Sequence, residues 1–417
     1  MAKVKPFGAY HYNISRFGKD VTRFVAPPYD VIDGVLEKSL KDDRLNITHI
    51  TLGNEDDSYE VAARRMCRWL HDEVLVHEKV DSFYVYEQTF QSPDKTPRVR
   101  SGIIGLVKLE DFSTGMVLPH ERTIPKHKAD RMELLSAVKG NTEQIFMLYD
   151  DPSGKIEEML QSVRKREELL RFLDSEGVHH RIIRIAERDL IEKISSAMAP
   201  LKLLIADGHH RYETSLEYRD RMRAKNGHTD EEKPYDFVMA TMVSFRNPGL
   251  VIYSTHRIVS GVDKGTLDSL QKSLREDFDM ITVDSPESLA DQISQGPDGS
   301  IGVWIPSMSL TQIAKPKGDL PKDQMERLSV QILQENVLKK RLGFTQEMLD
   351  KKVNIDYIKG TDTVMKIMSE GEHEICFFVK PPSADQVLAV AETGRKMPQK
   401  STYFFPKIWS GTLIYLQ

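Results

Sequence analysis

Residues 203–219 read LLIADGHHRYETSLEYR: an apolar run of strand length stops at Asp207-Gly208, and a stretch of helical period begins with His209, His210 and Arg211. A strand that turns through glycine into a helix leaves backbone N–H groups pointing outward at the positive end of the helix dipole. Such a turn is a natural site for phosphate. Gly208 lets a ligand approach the backbone, Arg211 grips phosphate oxygens with two prongs, and the two imidazoles donate hydrogen bonds or move protons. Asp207 is placed to bind a magnesium ion, to cap the helix, or both. Three cation-capable side chains crowd the wrong end of a dipole here unless an anion comes to them; the competing reading is an ordinary N-cap before a solvated helix. Metal ligation by the two histidines is disfavoured. Neighbours on a helix point about 100° apart, and the i, i+4 partners, Glu213 and Thr214, complete no three-ligand set.

Outward from this turn, strands and helices alternate. SFYVYEQTF at 82–90 and RSGIIGLVKL at 100–109 predict a hairpin with a long connection, and QIFMLYDD at 144–151 and HRIIRIA at 180–186 predict further strands. Helical period runs through YEVAARRMCRWLHDEVL, with Ala62, Met66, Trp69, Leu70 and Val74 on one face. It recurs in the segment of Leu134, Leu135 and Val138 ending near Gly140-Asn141, in GKIEEMLQSVRKREELLRFL at 154–173, and in ERDLIEKISSAM. YDFVMATMVSF and GLVIYSTHRIV predict two more strands of the same sheet. From about residue 264 helices alternate with short strands, including IGVWIP, SLTQIAK and EICFFVK. The expected fold class is mixed α+β and α/β, with a catalytic region at 1–263 and a C-terminal α/β unit at 264–417.

The chain has 417 residues, 40% of them hydrophobic, and its 58 basic and 63 acidic residues give a net charge of -5. That length predicts at least two cores. The charge gives no global attraction to nucleic acid or anionic lipid, so phosphate binding must be local. Cys67 and Cys376 have no metal or redox spacing and are expected to be small buried hydrophobes in a reducing compartment. MAKVKPFGAYHYN lacks the apolar core of a signal peptide, and no apolar run reaches membrane-spanning length, so the expectation is a cytoplasmic protein without nucleic-acid or membrane partners. GxxxxGK[ST], GxGxxG after a first strand, HExxH and GxSxG are all absent.

Four other clusters carry chemical groups. His120-Glu121-Arg122-Thr123 precedes Lys126, His127, Lys128, Asp130 and Arg131, a mixture of charges that reads either as a solvated helix face or as a holder for an anion and a cation together. In Val25-Ala26-Pro27-Pro28-Tyr29-Asp30-Val31 two prolines present Tyr29 and Asp30 rigidly. Ser254-Thr255-His256-Arg257 ends a predicted strand, and Met397 to Lys407, MPQKSTYFFPK, reads as packing or as a phosphate-contacting tail.

Taken together, VAPPYDVI, HERTIPKHKADRMELL, IADGHHRYETSLEYR, NPGLVIYSTHRIV and MPQKSTYFFPK resemble the DUF1015 family, whose members look like free serine kinases of the SerK type. DGHHR also resembles the phosphate-binding turn of the ParB/sulfiredoxin-like fold. The resemblance implies a ParB/sulfiredoxin-like core with a mixed sheet, and phosphoryl transfer from ADP, ATP or pyrophosphate to the hydroxyl of free L-serine with a magnesium ion on Asp207. It implies donor phosphates on Gly208, His209, His210 and Arg211, with Lys126 and Arg131 neutralising charge. Glu121 is expected as general base with Asp30 as its rival, and Tyr29, Thr123, His256 and Arg257 as substrate contacts. The alternatives are a ParB-like nucleotide-binding regulator and a metal-dependent phosphohydrolase.

Overall fold

The structure, a computed structural model, describes residues 2–53, 59–92, 95–121, 125–227 and 230–417, with the side chains of 125–127 outside the description. It divides into two compact units. The first is Met1–Pro119, Thr123–Val251 and Pro406–Gln417, and the second is His120–Arg122 and Ile252–Phe405.

Among the described residues the first unit has a nine-stranded mixed sheet. Its strands are β1 (Val4–Lys5), β2 (Phe83–Gln91), β3 (Pro97–Lys108), β4 (Val117–Leu118), β5 (Ile145–Tyr149), β6 (Leu170–Leu173), β7 (His179–Ile185), β8 (Leu203–Asp207) and β9 (Phe237–Ser244). The order is β4-β8-β5-β9-β3-β2-β7-β6. β1 pairs with β3 at Leu106 and Val107, just past the end of the β2 ladder at Ile104. The β4–β8 and β5–β9 pairs are parallel and the other pairs antiparallel. β5 and β9 are buried along their whole length, without alternation, as strands covered on both faces are.

Five helices of this unit matter for the site: α1 (Tyr59–His71), α2 (Pro125–Val138), α3 (Lys155–Val163), α4 (Arg188–Met198) and α5 (His209–Asn226). α3 and α4 place Ile156, Leu160, Val163, Ile194 and Met198 against Ile145, Met147 and Ile205. α2 and α5 meet through Met132, Leu135 and Tyr218.

Three expectations are corrected. The helix predicted over 154–173 stops at Val163, and 170–173 is β6, where buried Leu170 and Phe172 alternate with exposed Arg171 and Leu173 on the edge of β7. GLVIYSTHRIV does not join the first sheet: Thr255–Val259 pairs with strands of the second unit, so the division falls at 251/252 rather than 263/264. Cys376 is buried as expected, but Cys67 is exposed on α1.

The second unit has a six-stranded antiparallel sheet of β10 (Thr255–Val259), β11 (Phe278–Thr282), β12 (Ile301–Ile305), β13 (Leu310–Pro316), β14 (Ile355–Lys359) and β15 (Ile375–Val379), in the order β11-β13-β12-β15-β10-β14. Alternate residues of β12 and β15 feed two separate cores, so both faces are covered and the unit is α/β. Among the described residues no helix is long and apolar enough to cross a membrane.

Candidate functional site

β8 leaves its ladder through an irregularity between Ile205 and Asp207, a device that re-aims a side chain at the end of a strand. Asp207 then turns its carboxylate back on the chain, and its Oδ1 accepts the Gly208 N–H at 2.9 Å. Gly208, not Asp207, is the N-cap of α5, with φ of 92° and no side-chain capping bond. The turn is anchored from the far side: the Tyr212 hydroxyl donates to Glu110 O at 2.9 Å, and Arg219 Nη1 to Leu109 O at 2.8 Å.

A Cβ at position 208 would lie 3.0–3.1 Å from the Arg211 guanidinium, and that group is fixed, since Arg211 Nη1 donates to Gln144 O at 2.7 Å. Gly208→Ala is therefore expected to strain the turn by about 1–3 kcal/mol, lowering the melting temperature. A calorimetric melt of the variant checks this.

The C-terminal tail brings a residue to the turn that the sequence offered only as part of a longer motif. Lys407 Nζ donates to Asp207 Oδ2 at 3.0 Å, and the two side chains are 12% and 22% exposed. The tail backbone is gripped by buried polar side chains of the sheet. Gln88 Nε2 donates to Lys407 O at 2.8 Å, Arg100 Nη2 donates to Pro406 O, and Arg100 Nε donates to Gln88 Oε1 at 2.9 Å. Burial pushes the Arg100 guanidinium down to about 9, against the opposing influence of Tyr86 and Asp207. Behind it, His180 joins Tyr86 OH at 2.9 Å and Asp174 Oδ2 at 3.0 Å. The tail then bonds Ala26 through Ser410, Thr142 through Gly411 and Gln144 through Thr412, linking the Pro27-Pro28 corner and the start of β5 to the turn.

Arg131 is buried on α2 with its guanidinium carbon 4.2 Å from the centre of the Tyr29 ring. Its Nε donates to Asp130 Oδ2 at 2.8 Å and its Nη2 to Tyr59 OH at 3.0 Å, and Tyr59 in turn donates to Asp130 Oδ1 at 2.6 Å. Burial raises the Tyr29 phenol well above its ordinary value, with Asp30 adding to it and Arg211 and Arg131 opposing, so Tyr29 acts as a neutral hydroxyl. Burial works against the Arg211 charge, but Glu143, Asp207, Tyr29 and Asp30 outweigh it and hold the pKa above the usual value. Glu143, which the sequence reading passed over, accepts from Ser410 Oγ at 2.8 Å and lies 3.9 Å from Arg211 Nε. His209 is buried, His210 half-buried, and Asp30 exposed on a short 3-10 turn.

Of the residues expected to form one site, Tyr29, Asp30, Arg131 and Asp207 to Arg211 belong to the first unit, and Glu121, His256 and Arg257 to the second. In that unit Glu121 Oε1 accepts the Lys400 N–H at 2.9 Å, and His120 Nε2 meets Thr402 Oγ1 at 2.9 Å. Arg257 Nη2 donates to Lys400 O at 3.2 Å, and burial lowers its pKa to about 10 despite Tyr357 and Glu121. His256 is neutral, pushed down to about 3 by burial and then by Arg257, and its Nδ1 accepts the Val379 N–H at 3.4 Å. Both side chains serve the packing of β10 rather than an open surface. Thr123 and the side chain of Lys126 lie outside the described residues.

A magnesium ion on Asp207 does not fit these residues as they stand. One carboxylate oxygen carries the Lys407 ammonium and the other the Gly208 amide, and among the described residues no group of three or more His, Cys, Asp or Glu is arranged to hold a metal.

No curated protein matches the chain. Among solved structures, a variant of free serine kinase in complex with AMP is 14% identical over 72% of this chain and 87% of that chain, with a TM-score of 0.38. A conserved hypothetical protein from Pyrococcus furiosus is 15% identical over 75% of this chain and 94% of that chain, with a TM-score of 0.38. SbnI with a C-terminal truncation, from Staphylococcus aureus, is 11% identical over 74% and 85%, with a TM-score of 0.35. The family described as "Protein of unknown function (DUF1015)" matches residues 4–343, most of the sequence, and the chain belongs to that family.

Proposed function

We propose that the protein is a small-molecule kinase that transfers a phosphoryl group from ADP, ATP or pyrophosphate to the hydroxyl of free L-serine. The observation that carries this reading is the glycine-capped start of α5 with Lys407 set 3.0 Å from Asp207 beside it. A glycine N-cap that lets a ligand approach the backbone, the helix dipole and a lysine converge where donor phosphates need charge, and phosphoryl transfer needs positioning and charge neutralisation more than covalent chemistry.

In the proposed step the serine oxygen attacks the terminal phosphorus, the bond from phosphorus to the leaving phosphate oxygen breaks, and the hydroxyl proton passes to a carboxylate. His209 and His210 donate to phosphate oxygens, and Arg211 and Arg131 add positive charge from the buried side. Two carboxylates stand as candidates for the proton acceptor, Glu121 and Asp30. Glu121→Gln and Asp30→Asn separate them: the true base is expected to lose about 10²–10⁴-fold in kcat and the other little.

A donor-by-acceptor screen read by phosphorus NMR, with and without magnesium, tests the reading as a whole. O-phospho-L-serine from one donor is the expected product. Phosphate release without an acceptor would favour a phosphohydrolase, and nucleotide binding without turnover a regulatory module.

A further inference from the structure

Among the described residues of the first unit, several buried side-chain atoms lack hydrogen-bond partners, and three of them, Arg131 Nη1, Arg211 Nε and Thr214 Oγ1, belong to residues that line one cavity together with Glu143. Arg131 is 5% and Thr214 1% exposed. Leaving a buried donor unmade costs about 1–3 kcal/mol, and folded proteins rarely gather several such groups around one space unless something fills it. A guanidinium N–H only donates, so the occupant must accept.

Its size is bounded. A water takes roughly 10–15 Å³ by this measure, so a cavity of about 40 Å³ has room for about three non-hydrogen atoms. A carboxylate has that many, so it is the part of a ligand that the cavity itself encloses, and the carbon and any charged group attached to it lie at the cavity's open side. The charges point the same way. Arg131 is already matched by Asp130, while Glu143 engages Ser410 and the Tyr29 N–H through Oε1 and has Arg211 only at 3.9 Å from Oε2. A group with an anion and a cation one carbon apart satisfies both sides.

We propose that this cavity is the head-group subsite for an α-amino acid: Arg131, Arg211 and Thr214 take the carboxylate and Glu143 the ammonium. The inference rests on the reading of the protein as an amino-acid kinase and gives the two arginines a role on the acceptor rather than on the donor phosphates.

The test is calorimetric titration of the full chain, without any donor, with L-serine, glycine and ethanolamine. L-Serine and glycine are expected to bind and ethanolamine, which lacks the carboxylate, not to. Thr214→Val, nearly isosteric, is expected to weaken L-serine about five- to tenfold, and Arg131→Lys about tenfold to a hundredfold. Equal binding of ethanolamine, no amino-acid binding at all, or unchanged affinity in Thr214→Val overturns the subsite. If Arg131→Lys fails to fold, Thr214→Val still decides. The two readings fail separately: amino-acid binding without phosphoserine from any donor removes the kinase and keeps the subsite, whereas phosphoserine formation with an unmoved KM for serine in both variants does the reverse.

Discussion

Asp207→Asn is expected to lower kcat/KM for the phosphoryl donor by about 10²–10³-fold, and Lys407→Met by a similar factor, the scale seen when one preorganised electrostatic group is removed from a reacting site. The amide oxygen of Asn still accepts the Gly208 N–H, which Asp207 binds at 2.9 Å, so the turn keeps its shape. What is lost is the negative charge that places the Lys407 ammonium 3.0 Å from Oδ2. Since the two act as one pair, the double variant is expected to be little worse than either single one. Melting temperatures discriminate the alternatives: a partly exposed pair contributes modestly to stability, so all three variants should melt within a few degrees of the parent. Wild-type turnover in Asp207→Asn would move the reaction away from this turn altogether.

The turn was legible because everything that makes it lies within one short stretch. The apolar β8, Gly208 and the helical period after it are local signals, and local signals survive in a sequence. Its surroundings were not. Gln88 and Arg100 read as ordinary strand residues and Glu143 falls between the predicted helix and strand, and only pairing across the sheet puts Arg100 against the carbonyl of Pro406, far along the chain. The tail motif ending in Lys407 was visible as a motif, but no periodicity reveals that a C-terminal segment returns to the first unit. The same blindness to distant pairing produced the errors. KREELLRFL has helical composition, yet β7 offers an edge and Leu170 and Phe172 take it. GLVIYSTHRIV follows β9 closely enough to look like its neighbour, yet β14 and β15 claim its second half. His256 and Arg257 resembled site residues because they are polar at a strand, whereas their hydrogen bonds are spent inside the second unit.

Deleting Pro406–Gln417 is expected to unfold the first unit rather than merely inactivate it. Ile408, Trp409, Leu413, Ile414 and Tyr415 are all buried, and at about 1.5–3 kcal/mol for each large apolar side chain their loss is on the order of 10 kcal/mol. That is comparable with the whole stability of a typical domain, about 5–15 kcal/mol. The deletion also strips the Gln88 amide of its Lys407 carbonyl and Arg100 of the Pro406 carbonyl, leaving a guanidinium in the interior with fewer acceptors. Gly140 and Asn141 lose the short ladder to Tyr415 and Leu416. Hydrogen exchange read by mass spectrometry checks this: amides of β3, β5 and β9 should lose protection in the deletion and keep it in Lys407→Met, which leaves the tail in place. Protected amides in the deleted protein would mean that the sheet folds without the tail, and the tail would then be a replaceable strap that carries Lys407 to Asp207 rather than part of the core that fixes the turn.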